Sequence, residues 1–168
     1  MALLLVKQQR KALKSLSHPA IYSWITSLGI GGDLLAKNLT KVRVIYADTD
    51  AMGIVYHTNY IKWFEIGRSE ILRQFGLPYA EIEAMGYNLP LTEVSCHYFY
   101  PARYDQILLI ETEIEYVRNA SIKFNYIIWD ERQEKMLVEG ESVHACINSK
   151  GKVVRFPANI GDKINPQG

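Results

Sequence analysis

Apolar and polar positions alternate from Val42 to Tyr46, with Val42, Val44 and Tyr46 on one face and Arg43 and Ile45 on the other, which predicts a short strand. A polar turn, Asp48 to Gly53, leads into Ile54–Tyr60, so the chain reads as strand, turn and helix entry. The period then changes: Tyr60, Trp63, Phe64, Gly67, Ile71 and Phe75 recur at three- and four-residue steps, the buried face of a helix. Thr58 and Asn59 are expected to cap its start, and Gly76-Leu77-Pro78 to end it. The mixed segment Tyr79–Pro90 has room for one short helix. Beyond it everything is strand. Leu108, Ile110, Thr112, Ile114 and Tyr116 alternate with Glu111, Glu113 and Glu115, a half-exposed antiparallel strand. Arg118-Asn119-Ala120 turns the chain into Ile122, Phe124, Tyr126 and Ile128, alternating with Lys123 and Asn125. The polar run Asp130–Lys135 introduces a strand from Leu137 to Ile147, and Ser149-Lys150-Gly151-Lys152 makes one more hairpin. One strand, one long apolar helix and a meander, without βαβ alternation or internal repeat, predict an α+β fold. Because Trp63, Phe64 and Ile66 put large residues most of the way round the helix, the antiparallel sheet is expected to curl about it.

Composition fits that picture. The 168 residues are 48% hydrophobic and 22% charged, as in ordinary globular domains. A chain of this length buries roughly 70% of the surface its unfolded form exposes, enough for a core without staples. No apolar run approaches the ~18 residues of a membrane-spanning helix, so no integral membrane segment is expected. Cys96 and Cys146 lack a Cys-x-x-Cys spacing and read as buried reduced thiols of an intracellular protein; no metal site is expected. The net charge of +1 hides an asymmetry: residues 1–40 hold Lys7, Arg10, Lys11, Lys14 and Lys37 against Asp33 alone, a net +4 that leaves −3 for the rest. A mildly acidic body argues against nucleic acid as a partner. The chain thus divides into a basic N-terminal extension (1–40) ending after the hinge Gly29-Ile30-Gly31-Gly32, a main domain (41–160) and a short tail (161–168). The extension fits a cytoplasmic protein with a family-specific arm, or a start assigned too far upstream; an organelle transit peptide is the alternative.

Tyr46-x-Asp48-Thr49-Asp50-x-x-Gly53-x-Val55-Tyr56-His57-x-x-Tyr60, followed by Phe64-Glu65-x-x-Arg68 and later by Tyr100-Pro101-Ala102-Arg103-x-Asp105, resembles the signature of the hotdog-fold acyl-CoA thioesterases of the 4-hydroxybenzoyl-CoA thioesterase and YbgC-like family. The resemblance covers about Lys41 to Pro157. It implies a curled antiparallel sheet wrapped around one long central helix, and hydrolysis of an acyl-CoA to free acid and coenzyme A. Coenzyme A enters as part of the substrate, and no cofactor is implied. Family members form dimers through a continued sheet, often paired into tetramers, so a homodimer or homotetramer is expected. Met52 stands where the motif commonly carries a small residue, which bears on pocket size.

Thioester hydrolysis needs a nucleophile or general base beside the carbonyl carbon and donors aimed at its oxygen. Asp50 can supply the first, either by attack or by activating water. Unpaired amides of a helix's first turn, around Tyr56 and His57, can supply the second, and Gly53 permits close approach. The resemblance implies the same allocation, with Asp50 at the catalytic aspartate position and the His57 amide facing the carbonyl, its imidazole assisting. Against this, a lone Asp in a turn is often only an Asx-turn residue, and Asp48 reads that way. Glu65 is a second catalytic candidate as a buried helix carboxylate, or else an i+3 ion pair with Arg68. Gly53, Tyr60 and the turn Arg118, Asn119 and Ser121 are candidates for binding substrate; the resemblance places nucleotide contacts at that turn, with Arg103 and Arg155 as weaker phosphate partners. Met52, Tyr87, Leu89 and Leu91 are candidates for setting acyl-chain length. His97 and His144 read as hydrogen-bonded structural histidines. The alternatives are a non-catalytic acyl-binding or oligomerising domain, or a thioesterase for acyl carrier protein or for aromatic thioesters such as 4-hydroxybenzoyl- or 1,4-dihydroxy-2-naphthoyl-CoA.

Overall fold

A computed structural model describes residues 37–164. Its elements are β1 (Lys37–Arg43), a 3-10 turn (Tyr46–Asp48), α1 (Thr58–Gln74), α2 (Tyr79–Ala84), β2 (Tyr87–Asn88), β3 (Leu91–Tyr98), β4 (Ile107–Arg118), β5 (Ser121–Asp130), β6 (Met136–Ala145), β7 (Ile147–Asn148) and α3 (Ala158–Ile164). Five strands form one antiparallel sheet in the order β1-β4-β5-β6-β3, while β2 and β7 pair separately. The α+β expectation holds: α1 lies on one face of the sheet, and the alternation read from the sequence decides which face. Leu108, Ile110, Thr112 and Ile114 of β4 and Ile122, Phe124, Tyr126 and Ile128 of β5 are all buried. They meet Tyr60, Trp63, Phe64, Gly67 and Ile71 of α1, each at most 3% exposed or a buried glycine, as the helical spacing required. Phe64 stacks on Tyr126 with centroids 4.4 Å apart.

Two glycines set how closely the layers approach. A Cβ on Gly67 would collide with Oγ1 of Thr112, and one on Gly140 would run into the Phe64 ring, so helix and sheet meet at these positions. Thr112 Oγ1 is the buried side-chain polar atom left without a partner among the described residues, directly under the helix backbone. The outer face of the sheet is polar: Lys37 bridges Glu111 and Glu113, and Lys123 bridges Glu115 and Glu141.

Several boundaries differ from expectation for local reasons. The sheet starts at Lys37, because Lys37 to Arg43 pair with Ile107 to Glu113, and helix α3 runs on past residue 160 to carry fully buried Ile164 into what was read as a tail. The strand expected to run from Leu137 to Ile147 breaks at Cys146, after which β7 pairs with β2. A bulge after Ile114 takes Tyr116 out of the inward register, leaving it beneath Arg118, 4.1 Å from ring to guanidinium. Helix α1 ends as expected, with Gly76 at φ +67. Its start is different: His57 is the N-cap, and neither Thr58 nor Asn59 caps it. Among the described residues no helix is long and apolar enough to cross a membrane. The hinge, the transit-peptide alternative and most of the basic extension lie outside the described residues.

Candidate active site

The segment from Tyr46 to His57 folds around Asp48, which is 5% exposed. Its Oδ2 accepts the Ile45 N–H at 3.0 Å, and Lys62 Nζ lies 3.6 Å from Oδ1. Its carbonyl accepts the Tyr56 N–H at 2.9 Å and Asn59 Nδ2 at 2.8 Å. Asp48 therefore ties the turn to the first turn of α1, and Asn59 spends its amide on that tie instead of capping the helix. The loop between them closes by Asp50 N–H to Ile54 O and Gly53 N–H to Asp50 O, both 2.9 Å, with Gly53 at φ +70. An L side chain at that φ would be strained, which is why glycine is required there.

Asp50 is half-buried at the tip of this loop. Its Oδ1 accepts the Met52 N–H at 2.8 Å, an Asx-turn, while Oδ2 has no protein partner among the described residues. The carboxylate is thus oriented by one oxygen and open through the other. Arg103 lies alongside, its Nη1 donating to the Gly53 carbonyl at 3.3 Å.

At the helix start the Tyr56 N–H is already consumed by Asp48, so that amide is not available to a substrate. The N–H groups of His57 and Thr58 make no bond among the described residues. They carry the partial positive charge of a helix N-terminus, seven and eight residues after Asp50. Both side chains at 56 and 57 are exposed, their rings tilted together at 4.3 Å. Tyr98, on β3 and outside the motif, donates its hydroxyl to the His57 carbonyl at 3.1 Å.

The remaining candidates fall elsewhere. Tyr60 is 2% exposed, and its hydroxyl accepts the Ala102 N–H at 2.9 Å, which holds the loop before β4 against α1. Glu65 is exposed, not buried, and sits about 12 Å along the helix axis from His57 at 1.5 Å per residue. Its expected pairing with Arg68 is not made. Arg68 Nη1 instead donates to Nε2 of His144 at 2.9 Å. Arg118, Asn119 and Ser121 occupy the β4–β5 hairpin, with Asn119 at φ +29. Gly53 and Arg103 lie beside the opposite end of the twelve-residue β4, roughly 35 Å away at 3.3 Å per residue, so a single chain does not bring the two groups together. Of the residues considered for chain length, Leu89 is 3% exposed and Met52 72% exposed, which sets Leu89 in the core and Met52 on the surface of the loop.

His144 is structural, as expected. Its Nδ1 faces the Leu89 carbonyl at 3.0 Å and must donate there, leaving Nε2 to accept from Arg68 and from Ser142 Oγ, which in turn accepts from the Tyr126 hydroxyl at 2.8 Å. Burial first, and the Arg68 charge second, push the imidazole down to about 4 from 6.5. The folded protein then binds fewer protons than the unfolded chain between these values, so stability falls as pH drops through that window. Between pH 7 and 4.5 the native chain is expected to lose about 2 kcal/mol more than a His144→Gln variant, read from urea unfolding at the two pH values.

The profile of the thioesterase-like superfamily matches residues 44–164. The chain is 35% identical over 120 residues to the acyl-CoA thioester hydrolase YbgC of Escherichia coli, covering 71% of this chain and 89% of that one. It is 34% identical over 121 residues to the acyl-CoA thioesterase YbgC of Haemophilus influenzae, covering 71% and 88%. Among solved structures, the DHNA-CoA thioesterase of Staphylococcus aureus superposes with a TM-score of 0.68 at 28% identity, covering 71% of this chain and 80% of that one. A helix packed on one face of a five-stranded antiparallel sheet, an oriented carboxylate seven residues before helix amides that have no partner among the described residues, and these likenesses agree: the chain belongs to the thioesterase-like superfamily, a thioester hydrolase of the hotdog fold.

Proposed function

We propose that this chain hydrolyses acyl-CoA thioesters, with Asp50 as base or nucleophile and the His57 and Thr58 N–H groups binding the thioester oxygen. The observation that carries this reading is that one turn joins a carboxylate whose Oδ2 has no partner among the described residues to two helix amides that likewise have none there. In one route Asp50 takes a proton from water, the hydroxide adds to the carbonyl carbon, the charge develops on an oxygen facing the amides, and collapse breaks the C–S bond. The coenzyme A thiolate leaves and takes up the proton. In the other route the carboxylate itself adds, the thiolate leaves, and water hydrolyses the resulting anhydride. Either route consumes only water and calls for no cofactor. The exposed imidazole of His57 is assigned an assisting part, and Glu65 no step.

A second copy completes the reading. Leu91, Val94 and Tyr98 on the free edge strand β3, with Phe99 and Tyr100 after it, are 40–51% exposed. Such an edge favours sheet continuation. If two β3 strands pair antiparallel, the Leu91 end of one lies beside the Tyr98 end of the other. Leu91 pairs with His144 and Ile122 with the same His144, so Leu91 marks the end of the sheet that holds the Arg118 hairpin. A dimer of this kind carries the Arg118, Asn119 and Ser121 turn of one copy toward the Asp50 loop of the other, where coenzyme A phosphates need cations.

The test is free-thiol release from butyryl-, palmitoyl- and benzoyl-CoA by the full chain. Turnover of at least one is expected. Failure on all three by folded protein contradicts the reading and favours a carrier-protein thioester or a binding role.

A further inference from the structure

We infer that Tyr98 is a positioning residue for the carbonyl-binding amides, its hydroxyl pinning the His57–Thr58 peptide plane from the neighbouring strand. The inference rests on the hydrolase reading above and assigns a part of that site which the motif does not contain.

A peptide unit is planar, so fixing its carbonyl fixes the N–H on the other side of the same plane. The two unpaired donors belong to successive planes. The His57 N–H shares its plane with the Tyr56 carbonyl, which accepts the Asn59 N–H at 2.9 Å. The Thr58 N–H shares its plane with the His57 carbonyl, which accepts the Tyr98 hydroxyl at 3.1 Å. Each donor plane is thus held at its carbonyl end, the first from within the helix start and the second both by the helix ladder that the N-cap carbonyl begins and by a hydroxyl 41 positions away. A hydrogen bond accepted at the carbonyl also polarises the amide and strengthens the N–H as a donor. Donors fixed before the reaction stabilise developing charge without reorganisation, which is where such a bond acts on rate.

The hydroxyl is itself held in place. Tyr98 pairs with Val138 and shares the helix-facing side of β3 with Cys96, and its ring stands edge-on to Tyr60 at 5.5 Å and 71°. Tyr60 is fixed in turn by the Ala102 N–H. A phenol is protonated at neutral pH and so remains a donor throughout the working range.

Tyr98→Phe keeps the ring contact and removes only the hydroxyl. In the full chain, on whichever of the three CoA thioesters turns over fastest, kcat is expected to fall about tenfold with KM within about twofold, and the thermal midpoint to stay within a few degrees. A second readout uses the ketone analogue of that thioester, with a methylene in place of sulfur and a carbon-13 carbonyl. Its stretching frequency is expected to shift downward when bound to the native chain, and less in Tyr98→Phe. A merely structural role would lower the thermal midpoint and leave the frequency and the kcat of the folded protein unchanged, which overturns the inference. Native turnover with Tyr98→Phe indistinguishable from native overturns it alone. Absence of turnover by the native chain overturns the hydrolase reading and this inference with it.

Discussion

Asp50→Asn is expected to lower kcat by about a hundredfold or more while leaving the fold and KM nearly unchanged. The separation follows from the two oxygens. Oδ1 accepts the Met52 N–H and shapes the loop, a role the amide oxygen of asparagine takes over without loss. Oδ2 is the free atom, and asparagine puts an NH2 group there, which neither takes a proton from water nor adds to a carbonyl. Under the proposed mechanism the remaining rate comes from the helix amides and substrate binding, which the substitution does not touch. Circular dichroism and thermal melting of the variant check that the loss is chemical, and thiol release measures it.

Gly140→Ala is expected to cost about 3 kcal/mol, the upper end of what overpacking imposes, and to lower the thermal midpoint by about 10 °C. An added Cβ would lie 2.5 Å from Cε2 of Phe64 and 2.6 Å from the Ser95 carbonyl oxygen. Neither neighbour yields easily: Phe64 is stacked on Tyr126, and Ser95 belongs to the paired strand β3. The helix must lift or the edge strand must part from β6. Differential scanning calorimetry of native and variant chains reads the loss, and an unchanged midpoint would show that helix and sheet do not meet as described.

Much of this architecture was legible because periodicity follows burial. The α1 positions from Tyr60 to Ile71 and the β4 and β5 positions from Leu108 and Ile122 onward are buried in the order their spacing dictates. The bulge at Tyr116 was not legible, since one extra residue in a ladder leaves composition and alternation nearly intact. In the site, the motif singled out Asp50, Gly53 and His57, and separated the turn-holding Asp48 from the half-buried Asp50. It could not divide the amides, because whether Tyr56 N–H is free depends on a carbonyl eight residues earlier in the chain. Asn59 looked like a cap for the same reason: its competing partner, the Asp48 carbonyl, is set by the path of the turn. The Glu65–Arg68 spacing suggested a local pair, and tertiary packing gave Arg68 to His144 on β6 instead. Tyr98 lies 41 residues from the carbonyl it holds, and no local pattern encodes such a bond.

Asp50 and Glu65 are the two carboxylates between which the chemistry divides, and one comparison decides between them: free-thiol release by the native chain, Asp50→Asn and Glu65→Gln on the same CoA thioester. Loss of activity in Asp50→Asn with Glu65→Gln near the native rate is the expected result. Near-native activity in Asp50→Asn with loss in Glu65→Gln would contradict it, and would place the chemistry on the helix carboxylate.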